Sequence, residues 1–486
     1  MTILPQQSDD RRGRAYWRAA RASSDAPTAG IYLGHDADGW HFARRQQSVL
    51  VLGPPRSGKT SSLIIPNVLA AAGPVVSTST KPEVLEATGA ARSRVGRRLL
   101  FDPTGSVRVD DGVEPLRWSP LQSCGTWEGA LSVARTLVDV ASSRTASRTE
   151  SSHWTERAQV LLAPLLHAAA LEDADMRTVL AWVDRRRSLE ARQILAGAPG
   201  GPTELADNAL EGIATTDERE LSGIWSTASG ALSGFRTERA LATTVRPTFD
   251  ADAFVRSSDS IYVCAPAHRQ ALVAPMVVGL IEDVRTAAYE RASSEPTAPG
   301  DGAPVVLALD EVANIAPLPT LPSMISEGGG QGVLTLACLQ DLSQARRRWP
   351  DDADGFPSLF GTTVVLPGIG DVRTLEALST LAGDEELPSR TVSAGTAPTG
   401  HPLTDLMTGG RVQRGESATT QWRRRLPPDV ITRGTPGHAL AFDERNQAGW
   451  VPLAPAHLVE PWRTLGDEGR RLRRAPPARP GHGMGR

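Results

Sequence analysis

Short, unbroken apolar runs recur along the chain, each closed by turn-forming or polar residues. Val49 to Leu52, PVVSTS at 74–79, RLLFDP at 98–103, DSIYVCAP at 259–266, APVVLALDEVANI at 303–315, GVLTLACLQ ending at Gln340, GTTVVLP at 361–367 and GHALAF at 437–442 each read as a buried strand. Helical spacing fills most of the intervals between them. That alternation predicts an α/β fold: a mostly parallel sheet, helices on both faces, and ligands at the carboxyl edge of the strands. From about 121 to 245 the strand pattern stops. WEGALSVARTLVDVA, HWTERAQVLLAPLLHAAAL and RTVLAWVDRR repeat their apolar positions at helical spacing, which predicts an inserted all-α domain with Trp154, Leu161, Leu165 and Trp182 in its core.

The expected boundaries are a flexible basic arm at 1–25, the first part of the sheet domain at 26–120, the helical insertion at 121–245, the second part of the sheet domain at 246–465, and a disordered Arg/Pro/Gly tail at 466–486. The tail carries Arg470, Arg471, Arg473 and Arg474. SRTASRTESS at 143–152, ASSEPTAPGDGAP at 292–304 and the stretch 384–421 read as polar loops, the last two long and mobile. No internal repeat is visible.

Composition narrows the class. With 486 residues, 40% of them hydrophobic, the chain can bury a sizeable core and is not a disordered polymer. Cys124, Cys264 and Cys338 lie far apart without a CxxC pair, which argues against a disulfide framework or a structural zinc site and for a reducing compartment. The apolar runs at 159–171 and 271–281 are too short to span a bilayer, and no apolar segment marks the first 24 residues. The expectation is a cytoplasmic chain, reaching the inner face of a membrane only through partners. A formal charge of −3 does not announce nucleic-acid binding. Of 52 basic residues only Lys59 and Lys81 are lysine. Where arginine replaces lysine so thoroughly, a surviving lysine marks a place that needs a compact ammonium.

Lys59 stands in SVLVLGPPRSGKT, where a buried strand gives way to Gly53, Pro54, Pro55, Arg56, Ser57, Gly58, Lys59, Thr60 and Ser61. This is the GxxxxGK pattern followed by Thr, leading into the helical SSLIIPNVLAAA. Its glycines let backbone N–H groups turn inward, and the helix presents its positive end to the same point. The segment predicts a cradle for ATP, with Lys59 on the β- and γ-phosphates and Thr60 on Mg²⁺. Pro66 predicts a kink in the helix. A phosphate loop needs a carboxylate on a neighbouring strand. Asp310 and Glu311, closing the 303–311 run, supply it: Asp310 to hold Mg²⁺ through water, Glu311 to orient or deprotonate the attacking water. Gln340, at the end of the next strand, is a candidate sensor of the γ-phosphate; its plainer role is to cap the strand–helix turn.

Together with STSTKPEVLEATG, LLFDPTG and LALDEVANIAPLPTLPSMISEGGGQGVLTLACLQDLSQARRRW, the loop resembles the type IV secretion coupling protein family, the TraG/TraD-type conjugative ATPases. LPGIGDVRTLEALSTLAGD and RRRLPPDVITRGTPGHALAF extend the likeness, which spans roughly residues 30–460. The resemblance implies a RecA-like P-loop NTPase with the all-α domain inserted in it, working as a ring, expected to be a homo-hexamer. It also implies partners: single-stranded DNA with its relaxase, or protein substrates, and the components of a type IV secretion channel. Lys59 and Thr60 match the family's phosphate-loop pair, Asp310 and Glu311 its acidic pair, and Gln340 its strand-end glutamine.

Two departures stand out. The usual amino-terminal transmembrane helices do not appear in this sequence. SEGGGQG, before the glutamine strand, lacks the arginine that some relatives place there, leaving Arg373 as a candidate arginine finger whose plainer role is a solvated helix-start residue. The arginine clusters at 185–187, 346–348 and 423–425 read as solvated faces, and Lys81 as either a DNA or subunit contact or a surface ion pair. Two further readings stay open: a cytosolic FtsK/HerA-like motor on double-stranded DNA, and a non-motor adaptor that binds ATP and recruits secreted proteins.

Overall fold

The computed structural model describes residues 30–36, 39–108, 112–142, 148–198, 200–294, 302–397 and 411–466. The basic arm at 1–25 and the tail beyond Gly466 lie outside the described residues. Fourteen strands are described: β1 Tyr32–Asp36, β2 Gly39–Phe42, β3 Val49–Leu52, β4 Val75–Ser79, β5 Arg98–Phe101, β6 Glu114–Pro115, β7 Ser260–Cys264, β8 Val305–Leu309, β9 Val333–Leu339, β10 Thr362–Val365, β11 Asp384–Ala397, β12 Arg411–Arg424, β13 His438–Phe442 and β14 Ala448–Pro452. Ten of them form one sheet in the order β14-β13-β10-β3-β9-β8-β4-β7-β5-β6. Pairing is parallel from β10 to β6 and antiparallel at the β13–β14 edge.

Each apolar run read from the sequence is a strand of this sheet. Every residue of β3, β4, β7, β8 and β9 is buried, as expected of central parallel strands covered on both faces. Beyond β6 the described chain is helical up to β7. Seven α-helices, from Trp127–Ser142 to Glu238–Thr244, lie within the expected insertion, and an eighth, Ala251–Val255, precedes β7. Leu161, Leu165 and Trp182 are buried in the insertion and Trp154 packs on its core. Gly223 is where Trp154 lies across a neighbouring helix; a Cβ there would meet the indole ring at 2.5 Å. One contiguous apolar cluster runs from Leu50 in the sheet to Trp225 in the insertion, so the helices are seated on the sheet rather than tethered to it. The long helix Gln270–Ala292 crosses between them, with the Trp118 Nε1–H donating to Asp283 at 2.7 Å.

Arg92 explains how the helix Glu83–Arg92 is fixed. It is fully buried, yet its donors are used: Nε to Ser260 Oγ at 2.7 Å, Nη1 to the Ala71 carbonyl at 2.6 Å, Nη2 to the Gly73 and Ser258 carbonyls at 2.9 and 2.8 Å. Burial lowers its pKa to about 10. It therefore remains a cation, solvated by carbonyls instead of water, and ties the end of the phosphate-loop helix to the start of β7.

Two loop expectations are corrected. The stretch 384–421 is a polar loop only in composition: β11 and β12 pair antiparallel from Asp384 opposite Arg424 to Ala397 opposite Arg411, with residues 398–410 outside the described residues. Polar residues dominate both segments, so the sequence shows no apolar alternation, while β-branched Thr391, Val392, Val412, Thr419 and Thr420 favour extended backbone. Within 143–152, helix Arg148–Leu171 begins four residues before the polar run ends, and 143–147 lie outside the described residues. Arg, Thr, Glu and Ser are all compatible with helical backbone, so composition alone does not mark the boundary. The expected 292–304 loop begins where Gln270–Ala292 ends, but 295–301 fall outside the described residues. Among the described residues no helix is long and apolar enough to cross a membrane, and all three cysteines are free and buried.

Candidate active site

The chain leaves β3 at Leu52 and turns at once, because the Gly53 N–H donates to the Leu339 carbonyl at the end of β9 (3.1 Å). Position 53 has room only for hydrogen: a Cβ would lie 2.7 Å from Ser57 Oγ and 2.9 Å from Leu366 Cβ. Gly58 carries φ of +95° and Arg56 +63°, so the loop reverses through two left-handed positions. The helix that follows does not start as an α-helix. Thr60–Ile64 is a π-helical turn, closed by the Ile65 N–H on the Thr60 carbonyl, and the α-helix Ile65–Ala70 begins only there. Pro66 supplies the reason. It has no N–H to give to Ser62, so the wider turn absorbs the missing bond and leaves the proline in the first turn of the α-helix. The expected kink is thus a change of helix type directly behind the phosphate loop.

Lys59 is buried, with Nζ donating to the carbonyls of Gly53 (2.5 Å) and Pro54 (3.0 Å). Beside it the Thr60 hydroxyl donates to Asp310 Oδ2 at 2.6 Å. The sequence reading placed the carboxylate on a strand next to the loop strand; the structure corrects this. β9 lies between β3 and β8. The loop and its helix arch over the end of β9, so Thr60 meets Asp310 across one intervening strand. Gln340, the residue after β9, consequently leaves the sheet between the loop and the acidic pair, its N–H donating to Gln344 Oε1 at 2.9 Å.

Asp310 is held from three sides. Its carbonyl accepts from Thr78 Oγ1 on β4 at 2.8 Å, Oδ2 from Thr60, and Oδ1 from the Glu311 N–H at 3.1 Å. Burial pushes its pKa up, while the Thr60 hydrogen bond and the Lys59 ammonium pull it back. Glu311 itself has φ of +54° and ψ of +44°, a left-handed conformation that costs a non-glycine residue about 1 kcal/mol or more. Its Oε2 accepts from Asn314 Nδ2 at 3.1 Å. Local strain at a half-buried carboxylate beside a buried one is a usual mark of a working site. Glu83, at the start of the next helix, has its pKa raised by burial and then by the Asp310 carboxylate, which puts that helix within the field of the site.

Thr78, Glu83 and Asn314 were missed in the sequence. Thr78 had a signal: the polar residues of PVVSTS, at the carboxyl end of a wholly buried strand, need partners, and for Thr78 it is the Asp310 carbonyl. The remaining candidates lie elsewhere or in ordinary contacts. Arg373 pairs with Asp354 at 3.1 Å, both exposed. Arg346 pairs with Asp354 and Asp371, Arg186 donates to Ser222 Oγ, and Arg424 to Thr380 Oγ1. Lys81 is exposed just beyond β4.

The donor set suits a hard divalent cation shared with a phosphate: a hydroxyl and a carboxylate, all oxygen, already in contact. Among the described residues no group of three or more His, Cys, Asp or Glu forms a self-sufficient metal cage. Ser57 Oγ is buried in the loop without a hydrogen-bond partner, a polar atom in the wall of the cradle.

Comparison with known proteins adds an independent finding. The family model described as type IV secretory system conjugative DNA transfer matches residues 16–405. The conjugal transfer protein TraG of Escherichia coli is 26% identical over 357 residues, 66% of this chain and 53% of that protein. The chain therefore spans about half the length of the curated relatives it matches. Among solved structures, the bacterial conjugative coupling protein TrwBdeltaN70 superposes with a TM-score of 0.64 at 18% identity, covering 91% of each chain. The plasmid coupling protein TrwB in complex with ADP and Mg²⁺ gives 0.60 at 17%, covering 85% of each.

Proposed function

This chain belongs to the type IV secretory system conjugative DNA transfer family, and on that premise we propose that it is a coupling ATPase that hydrolyses ATP to pass a single DNA strand, with its relaxase, into a secretion channel. The observation that carries the reading is the contact of Thr60 with Asp310, 250 residues away, beside the buried ammonium of Lys59. Nothing in core packing calls for a lysine, a hydroxyl and an aspartate in one cleft at the ligand edge of a parallel sheet.

In this reading the backbone N–H groups of Gly58, Lys59 and Thr60, at the start of the helix, cradle the phosphates, and Lys59 moves from its two loop carbonyls to the β- and γ-phosphate oxygens. Thr60 and Asp310 would hold Mg²⁺, which neutralises charge on the phosphate oxygens when bound. Glu311 accepts a proton from the attacking water, and Asn314 keeps its carboxylate aimed. Gln340, between the two halves, reports the γ-phosphate to the helix Leu342–Arg348. A homo-hexameric ring, contact with channel components and attachment to a membrane through them complete the proposal; the Arg373–Asp354 pair does not favour Arg373 as the residue that reaches across a subunit contact.

Phosphate release measured with single-stranded and with duplex DNA tests the reading. Single-stranded DNA is expected to stimulate turnover several-fold, and the stimulation to fall steeply between about 50 and 200 mM salt as phosphate contacts are screened. Stimulation by duplex alone would instead support a double-stranded DNA motor. Turnover indifferent to both would support an adaptor.

A further inference from the structure

β11 and β12 are 14 residues each and pair only with one another, a ribbon about 45 Å long. Among the described residues neither strand has a second neighbour. The ribbon joins the body at the helix Val372–Ala382, where Arg424 Nη1 donates to Thr380 Oγ1 at 3.1 Å and the Arg425 N–H to the Gly383 carbonyl at 3.0 Å. Two strands alone are marginally stable in water, and both outer edges of such a ribbon carry unpaired backbone groups. This one calls for a neighbour.

The base of the ribbon says which. β11 opens with Asp384, Glu385 and Glu386, and β12 closes with Trp422, Arg423 and Arg424, followed by Arg425; all of these side chains are exposed. The register sets Asp384, Glu386, Trp422 and Arg424 on one face and Glu385 and Arg423 on the other, so each face carries acid on one strand and arginine on the other. Among the described residues no ion pair joins these carboxylates to these arginines. Trp422 is 68% exposed, a large apolar surface left in water beside the guanidinium groups. We propose that the base of the ribbon is a contact between neighbouring copies of this chain, the acidic strand of one lying against Trp422 and the arginines of the next. The inference rests on the ring proposed above and names a contact within it. A nucleic acid would meet the carboxylates of β11, and a cationic peptide the arginines of β12, whereas a second copy carries the complement of both. Such a contact is head-to-tail, the kind that closes into a ring. Pro388 lacks the N–H that a continuing ladder would need, so the copies meet through side chains at the base and not through a third strand along the whole ribbon.

Mass photometry of the full chain at low salt, with circular dichroism as the folding control, tests this. Glu385→Arg with Glu386→Arg makes the base wholly basic but for Asp384, and Arg423→Glu with Arg425→Glu makes it mainly acidic while sparing the Arg424 bond to Thr380. Each pair of substitutions is expected to raise the concentration for half-assembly about tenfold or more. Mixing the two variants in equal amounts is expected to bring it back to within about threefold of wild type, because basic and acidic copies can then alternate. Mixing repairs only contacts between copies, never a pairing inside one ribbon, so the mixture separates the two. Trp422→Ala, at an exposed position that the fold tolerates, is expected to cost about tenfold as well. Variants that assemble like wild type, or a mixture that stays apart as its components do, overturn the contact. Assembly unchanged with stimulation by single-stranded DNA lost overturns it in favour of a nucleic-acid surface. A ring that survives every variant removes the ribbon contact alone, whereas a wild-type chain that stays monomeric brings down the ring as well.

Discussion

Lys59→Ala is expected to lower the rate of ATP turnover by at least about 10²–10³-fold, with the fold retained. The size follows from what the ammonium does. It is a point charge in a buried loop, able to meet charge that develops on the transferred phosphoryl group. Its present bonds go to two carbonyls of its own loop, so its loss should cost stability only about 1–2 kcal/mol. Lys59→Arg is expected to fail nearly as badly. A planar fork cannot occupy the space of an ammonium seated between the Gly53 and Pro54 carbonyls, which also accounts for lysine surviving here in so arginine-rich a chain. Steady-state phosphate release with circular dichroism as the folding control checks both variants. Turnover within a few-fold of wild type in Lys59→Ala would remove this lysine from the chemistry.

The second large effect is expected of Glu311→Gln, with turnover reduced about 10²–10⁴-fold while ATP affinity stays within a few-fold of wild type. Glutamine keeps the length of the side chain and an oxygen to accept from Asn314, but cannot take a proton from water. The left-handed backbone at 311 is unchanged by the substitution, so its strain cancels in the comparison. Parallel loss of binding and rate would mean that Glu311 holds the cleft together rather than serving the water. Asn314→Ala then tells positioning from packing: it should lower the rate less than Glu311→Gln does and leave ATP affinity within a few-fold of wild type, since the carboxylate keeps its charge and loses only the donor that aims it.

Much of the cleft was legible because its parts are local. GPPRSGKT and the Asp310–Glu311 pair each sit at the end of a fully buried strand, where an apolar run stops in residues no core would choose. The order of strands was not legible. That β9 separates β3 from β8 depends on pairings between residues nearly 300 positions apart, such as Val49 with Leu336, and nothing in either segment alone records the partner. The π-helical turn at Thr60–Ile64 was visible only as an awkward Pro66. The β11–β12 ribbon escaped because its residues are mostly polar with no apolar alternation, and the partner of Thr78 escaped because it is a backbone carbonyl just beyond the neighbouring strand. Arg373, a helix-start arginine whose plainer role is a solvated one, pairs with Asp354 on the surface.

The central claim is that Lys59, Thr60 and Asp310 grip one magnesium nucleotide. A crystal structure of the full chain with a non-hydrolysable triphosphate and Mg²⁺ tests it most directly. Lys59 Nζ is expected within about 3 Å of a γ-phosphate oxygen, with the metal held by Thr60 Oγ1 and Asp310 beside its water shell. A nucleotide bound elsewhere, with Lys59 still donating to Gly53 and Pro54, would contradict it.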